Sequence, residues 1–148
     1  MTVLRILAAA LLAAGPISLA VAQDAAPQVE RHQLMEEIGD NTKILGQMVK
    51  GDTPYDTQKA QAALDVLIAN GTKFVTLFPE GSETGHDTRA LPAIWENWSD
   101  FEAKASALVD ASEAAKVAAD EGLEPFSVAF REVGGSCRAC HNEYRAEK

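Results

Sequence analysis

The chain carries, near its C-terminal end, the stretch Cys137-Arg138-Ala139-Cys140-His141. This is the pattern C-x-x-C-H, which is typical of the covalent attachment of a c-type haem. Two thiols add across the two vinyl groups of a porphyrin to form thioethers. The histidine that follows is then held beside the iron, where its imidazole can act as the proximal ligand. The stretch therefore predicts one haem c, bound covalently through Cys137 and Cys140, with His141 as a ligand of the iron.

Paired cysteines also occur in three other kinds of site. A thioredoxin-like redox pair usually opens a helix after a strand, whereas Cys137 and Cys140 lie near the end of a helical pattern. A zinc site needs four ligands, and the sequence has no second C-x-x-C and no H-x₃-H pair to complete them. A structural disulfide that spans two residues would remove little chain entropy from the unfolded state. We therefore prefer haem attachment, and a bundle with only a disulfide would be recognised by the absence of haem.

The N-terminal residues have the pattern of a secretory signal. Arg5 precedes an apolar run, and the tripeptide A-V-A that ends at Ala22 matches a cleavage site for signal peptidase. We expect residues 1–22 to be removed, which leaves residues 23–148 as one domain with one core. A Gly-Pro pair interrupts the apolar run, which is also short for a transmembrane helix, so an uncleaved anchor is the less favoured alternative.

The net charge of the chain limits the kinds of molecule that it can bind. Without Arg5, 12 of the 13 basic residues remain against 22 acidic residues, a net charge of −10. Such a balance argues against nucleic acid or an anionic membrane as a partner, because both repel an acidic surface. A basic redox protein is compatible with it.

Apolar residues that recur at helical spacing predict four helices and no strands. The first should end at Lys50, because a glycine follows directly and a proline comes soon after. Asp56 has the side chain of an N-cap for the second helix. A polar, glycine-rich loop, 79–87, separates the second helix from the third. The predicted helices are about 29–50, from after Tyr55 to Phe78, 92–120, and from about 124 to the end.

The fourth helix places both cysteines on its core side. Its apolar stripe consists of Phe126, Phe130, Val133, Cys137, Cys140 and Tyr144. A haem attached there would lie inside the molecule. Four helices with short connections and one apolar stripe each predict an all-α fold, an antiparallel up-down-up-down four-helix bundle with covalently bound haem.

Three stretches of the sequence resemble class II c-type cytochromes, the cytochrome c′ family and its low-spin relatives. They are VGGSCRACHNEYR around the cysteines, MVKGDTPYD after the first helix, and LFPEGSETGHDTRALPAIWE between the second and third helices. The resemblance covers the whole mature chain. It implies a left-handed four-helix bundle in the periplasm, often as a homodimer.

The resemblance also implies roles for single residues. Cys137 and Cys140 match the thioether cysteines, His141 matches the proximal ligand, and Arg145 matches a basic residue beside that histidine. Two further arginines match partners of the haem propionates: Arg31 in the first helix and Arg89 in the loop before the third. His32 falls at a haem-contacting position where the family commonly has Gln.

Met35 decides between two functions. It lies four residues after Arg31, so both point to the same side of the first helix. The matching family position is the distal one, above the open face of the iron. There a Leu, Met or Phe blocks the sixth site in cytochromes c′, whereas a Met ligates the iron in the low-spin relatives. Ordinary core filling is the other role of a helical Met.

Two ligation states follow, and they predict different activities. If Met35 binds the iron, the site is closed and suits one-electron transfer between periplasmic redox proteins. If Met35 only crowds the iron, a small diatomic gas such as nitric oxide or carbon monoxide can bind. We expect electron transfer first and gas binding as the alternative. No acid–base pair or nucleophile beside the iron can be picked out, so no enzymatic activity is predicted.

Overall fold

Four long helices run antiparallel to one another in the computed structural model, which describes residues 26–147. The predicted all-α four-helix bundle is confirmed. The predicted signal peptide, with its cleavage after Ala22, lies outside the described residues. Within the described range, no helix is both long and apolar enough to cross a membrane. The helices are α1 (Pro27–Lys50), α2 (Thr57–Phe74), a single turn α3 (Ala93–Glu96), α4 (Trp98–Ala119) and α5 (Leu123–Tyr144).

The ends of α1 and α2 follow from local sequence. Gly51 takes a left-handed conformation with φ of 78°, which glycine adopts without steric cost, and this ends α1 at Lys50 as predicted. The carboxylate of Asp56 accepts a hydrogen bond of 3.0 Å from the backbone N–H of Lys59, so the predicted N-cap of α2 is also confirmed.

The core runs through the middle of the bundle. Helix α1 packs on α2, α2 on α4, and α4 on α5, whereas α1 and α5 contact each other little. The apolar stripe predicted for α1 is confirmed, because all four of its residues are buried: Leu34, Ile38, Leu45 and Met48. The gap between α1 and α5 positions the functional site. The core cluster consists of Ile38, Leu45, Met48, Ala60, Ala63, Leu64, Leu67, Leu108, Ala115, Ala119, Phe126 and Val133.

Two predicted helix boundaries are wrong. The α-helical part of α2 ends at Phe74, and a 3₁₀ turn (Val75–Leu77) carries the chain on to the buried Phe78. The predicted third helix is broken at Asn97, whose φ and ψ of −126° and 48° are not helical. The reason is tertiary packing: the indole N–H of Trp95 donates to the Phe78 carbonyl, and this anchors α3 apart from α4.

Truncation of the core should have a large effect on stability. Phe126 is fully buried and packs against Tyr55 and Phe130 with ring centroids 5.8 and 5.5 Å away. We expect Phe126→Ala to lower the free energy of unfolding of the holoprotein by about 3–5 kcal/mol, the range for a buried Phe that leaves a cavity. Denaturant unfolding followed by circular dichroism measures this change.

The matched control lies two residues further along the same helix. Val128 is 56% exposed, so Val128→Ala should change the free energy of unfolding by less than about 0.5 kcal/mol. Equal losses from the two variants would contradict the assigned core.

Candidate haem site

A cavity of about 590 Å³ opens at the end of the bundle where α1 begins and α5 ends. A second cavity of about 260 Å³ continues from it into the bundle and reaches Cys137. Both cavities are parts of one site, because five residues line each of them: Met35, Phe74, Cys140, His141 and Arg145.

The wall supplied by α5 carries the thiols and the imidazole. Cys137 and Cys140 are half-buried and not bonded to each other. Burial raises the pKa of Cys137 and raises the pKa of Cys140 to about 11, so both thiols are protonated at neutral pH. Burial lowers the pKa of His141, and the positive charges of Arg145 and Arg89 lower it further. Its imidazole is therefore neutral, which is the form that binds a metal.

The wall supplied by α1 carries Met35 and Arg31, one turn apart. Both side chains line the large cavity, as their spacing predicts. Met35 is half-buried and also lines the inner cavity, where it packs against the core. Its thioether thus faces the same space as His141, from the opposite side of the gap between the helices.

Arg31 is a buried cation, and two of its nitrogen atoms have no hydrogen-bond partner. Only 4% of the residue is exposed, and burial lowers the pKa of its guanidinium. One nitrogen, Nη2, donates to the Ser82 carbonyl at 2.6 Å, and the group lies 4.4 Å from the centre of the Phe78 ring. The other two nitrogens, Nε and Nη1, are buried without a hydrogen-bond partner. Such orphaned donors fit an acidic group inside the cavity.

The two remaining predicted residues are Arg89 and His32. Arg89 donates from Nη2 to the Ala146 carbonyl, and its Nε is buried without a partner. His32 is exposed, with Nε2 3.3 Å from the Glu36 carboxylate. Both line the large cavity, so the structure brings every predicted site residue to one place. Their predicted contacts with haem stay predictions.

Gln28 and Tyr144 are two of the cavity residues that the sequence did not identify as parts of the site. Gln28 donates to the Thr84 carbonyl at 2.8 Å, which ties the loop between α2 and α3 to α1. The Tyr144 hydroxyl donates to the Asp100 carboxylate at 2.6 Å, and this bond raises the pKa of Tyr144 to about 12. The hydrogen-bond partners of both residues lie more than 40 residues away in sequence. No local sequence pattern therefore indicates these two contacts.

The residues of the site fit a haem. Two thiols and a neutral imidazole project from one helix, and aromatic side chains form apolar walls. The two Arg31 nitrogens without a hydrogen-bond partner could bind an acidic group. Gly39 lines the inner cavity, where a Cβ would meet nothing within 4 Å. A large apolar group with acidic substituents would satisfy all of these features at once.

The comparison with known families identifies the family of this chain. The model of the family described as Cytochrome C' matches residues 27–145. The chain belongs to the cytochrome c′ family. The predicted resemblance and the predicted cofactor, haem c, are thereby confirmed, and the protein is a mono-haem c-type cytochrome.

Individual members of the cytochrome c′ family match over most of the chain. A cytochrome c-556 from Agrobacterium tumefaciens (strain II Chrys) is 39% identical over 126 residues, which are 83% of this chain and all of the relative. The solved cytochrome c′ from Rhodopseudomonas palustris has a TM-score of 0.80 at 31% identity, covering 84% of this chain and 98% of that one. A nitric oxide complex of a mutant cytochrome c prime from Alcaligenes xylosoxidans has a TM-score of 0.75 at 32% identity, covering 85% and 100%.

Proposed function

We propose that this cytochrome is a periplasmic one-electron carrier whose haem iron is ligated by His141 and Met35. The observation that supports it best is the position of these two residues, which line the same cavity from opposite helices. The bound haem supplies a metal centre that gains and loses one electron. The partners would be other redox proteins of the same compartment, and no catalysed reaction is part of the proposal.

Different side chains of the site would bind different parts of the haem. We assign thioether attachment to Cys137 and Cys140, which fixes the group along α5. Arg31 would receive an acidic substituent on the two nitrogens that lack partners. The ring of Phe74 lines both cavities and would help to exclude water from the apolar faces.

Met35 carries the argument for electron transfer. A thioether is a soft, neutral ligand, and methionine ligation opposite histidine raises the reduction potential of a haem. A closed site has no position for an exogenous ligand, so it favours electron transfer over binding chemistry. The core contacts of Met35 would hold the thioether in place.

One observation favours gas binding as the second candidate. A mutant of a relative, 32% identical over most of this chain, has been solved as a nitric oxide complex. Met35 is unbranched and only half-buried, so it can swing aside more readily than a β-branched residue. In that case the protein would bind small diatomic gases at the position that Met35 otherwise fills.

The Met35→Ala substitution separates the two functions. Truncation removes the proposed sixth ligand and opens the distal side. We expect the reduced wild-type spectrum to be unchanged by carbon monoxide, whereas the reduced variant should shift fully on the same addition. Optical titration of both holoproteins with carbon monoxide measures this difference.

Met48→Leu is the matched control. Met48 is buried in the core, 3% exposed, and lines neither cavity. This variant should behave like the wild type. A wild-type protein that binds carbon monoxide as readily as Met35→Ala would reject methionine ligation and put gas binding first.

A further inference from the structure

Three arginines line the large cavity without a carboxylate partner. Between residues 26 and 147, every ion pair uses a lysine or His32, and none uses Arg31, Arg89 or Arg145. The chain as a whole has a formal net charge of −9. Two acidic residues also line the cavity, so the three arginines leave it with an excess of positive charge in an otherwise acidic protein.

Arg89 is held in place by a short pairing of two chain segments, which we call the C-terminal clamp (residues 89–91 with 144–146). Ala90 and Arg145 form an isolated antiparallel bridge. The backbone N–H of Ala146 donates to the Arg89 carbonyl at 2.9 Å, and that of Leu91 donates to the Tyr144 carbonyl at 3.0 Å. The Arg89 side chain adds a further bond to the Ala146 carbonyl. The clamp therefore fixes the guanidinium, since backbone and side chain are tied to the same segment.

The C-terminal clamp brings two guanidinium groups to the side of the cavity that holds His141. Arg145 follows His141 by one turn of α5, and its N–H donates to the His141 carbonyl at 3.3 Å. Arg89 reaches the same region from the loop before α3. Arg89 and Arg145 line the same cavity as His141, so both positive charges border the space that a haem would occupy.

We propose that Arg89, fixed by the C-terminal clamp, sets the reduction potential through a permanent positive charge beside His141, together with Arg145. This role differs from the predicted contact with a propionate, and it rests on the proposed one-electron function. The oxidised centre carries one more positive charge than the reduced centre, so neighbouring cations disfavour it. Arginine keeps its charge at all accessible pH values, so the bias is constant.

Potentiometric titration of the holoprotein tests this role. Arg89→Gln removes the charge, and we expect the ratio of reduced to oxidised protein at a fixed applied potential to fall about tenfold, a shift of about 59 mV for one electron. Arg89→Lys keeps the charge and should stay within about twofold of the wild type. Arg131→Gln is the control for charge alone, because Arg131 is exposed on α5 and lines neither cavity; it should also stay within about twofold.

Two results would overturn the proposal. One is an Arg89→Gln potential no lower than that of Arg131→Gln. The other is an Arg89→Lys potential as low as that of Arg89→Gln, since the clamp bond and not the charge would then be responsible. If Arg89→Gln does not yield holoprotein, Arg145→Gln tests the same charge effect, and an unchanged potential would reject it.

The titration also keeps this inference separate from the proposed ligation. Binding of carbon monoxide by the wild-type protein would refute ligation by Met35. The potentials of the Arg89 variants can still be compared in that case. An absent shift in a protein that excludes carbon monoxide would refute only the role of Arg89.

Discussion

Replacing both cysteines, Cys137→Ala with Cys140→Ala, should abolish the covalent retention of haem. The thioethers are the only covalent links that the C-x-x-C-H motif provides, and alanine offers no sulfur to form them. We expect no haem stain on the polypeptide after denaturing electrophoresis, and an intact mass equal to that of the bare chain. Either single substitution leaves one thioether and should weaken retention. The helix itself should survive, because alanine is a strong helix former.

Arg138→Ala is the control within the same motif. Its side chain is exposed and lines neither cavity, so it should retain haem at the level of the wild type. Recovery of normal holoprotein from both single cysteine variants would refute the attachment.

Replacing His141→Ala should leave the haem attached but change its spectrum in both oxidation states. The thioethers remain, whereas the proposed proximal nitrogen is lost. The half-buried, neutral imidazole leaves a space beside the iron when it is removed. We therefore expect added imidazole to restore much of the wild-type spectrum, as measured by optical titration of the variant.

His86→Asn provides the comparison. His86 lies at the exposed mouth of the cavity with a φ of 51°, and asparagine tolerates this left-handed conformation better than most residues. Its spectrum should match that of the wild type. An unchanged spectrum for His141→Ala would exclude His141 as the ligand.

The parts of the fold that local sequence determines could be predicted. The stripe from Leu34 to Met48 and the caps at Gly51 and Asp56 each depend on residues within a few positions of one another. The break at Asn97 could not be predicted, because it depends on a hydrogen bond from Trp95 to a carbonyl in a different segment. The apolar periodicity does not reveal this break, because the apolar residues on both sides of Asn97, Ile94 and Phe101, are buried.

The site divides in the same way. Cys137, Cys140 and His141 form one motif, and Arg31 and Met35 are one turn apart, so sequence spacing alone indicates which of them share a helix face. The surroundings of Arg89 depend on the C-terminal clamp, whose side-chain bond joins residues 57 positions apart. The loop that precedes it contains two consecutive non-glycine residues with positive φ, His86 and Asp87. Neither the clamp nor this loop conformation has a signature in the sequence.

The optical spectrum of the purified wild-type holoprotein tests the central claim most directly. It should be recorded oxidised, reduced, and reduced under carbon monoxide. We predict a sharp low-spin spectrum with a sulfur-to-iron charge-transfer band in the oxidised protein and no response to carbon monoxide, because Met35 occupies the sixth position. A broad high-spin spectrum that shifts on addition of carbon monoxide would contradict the proposed electron carrier.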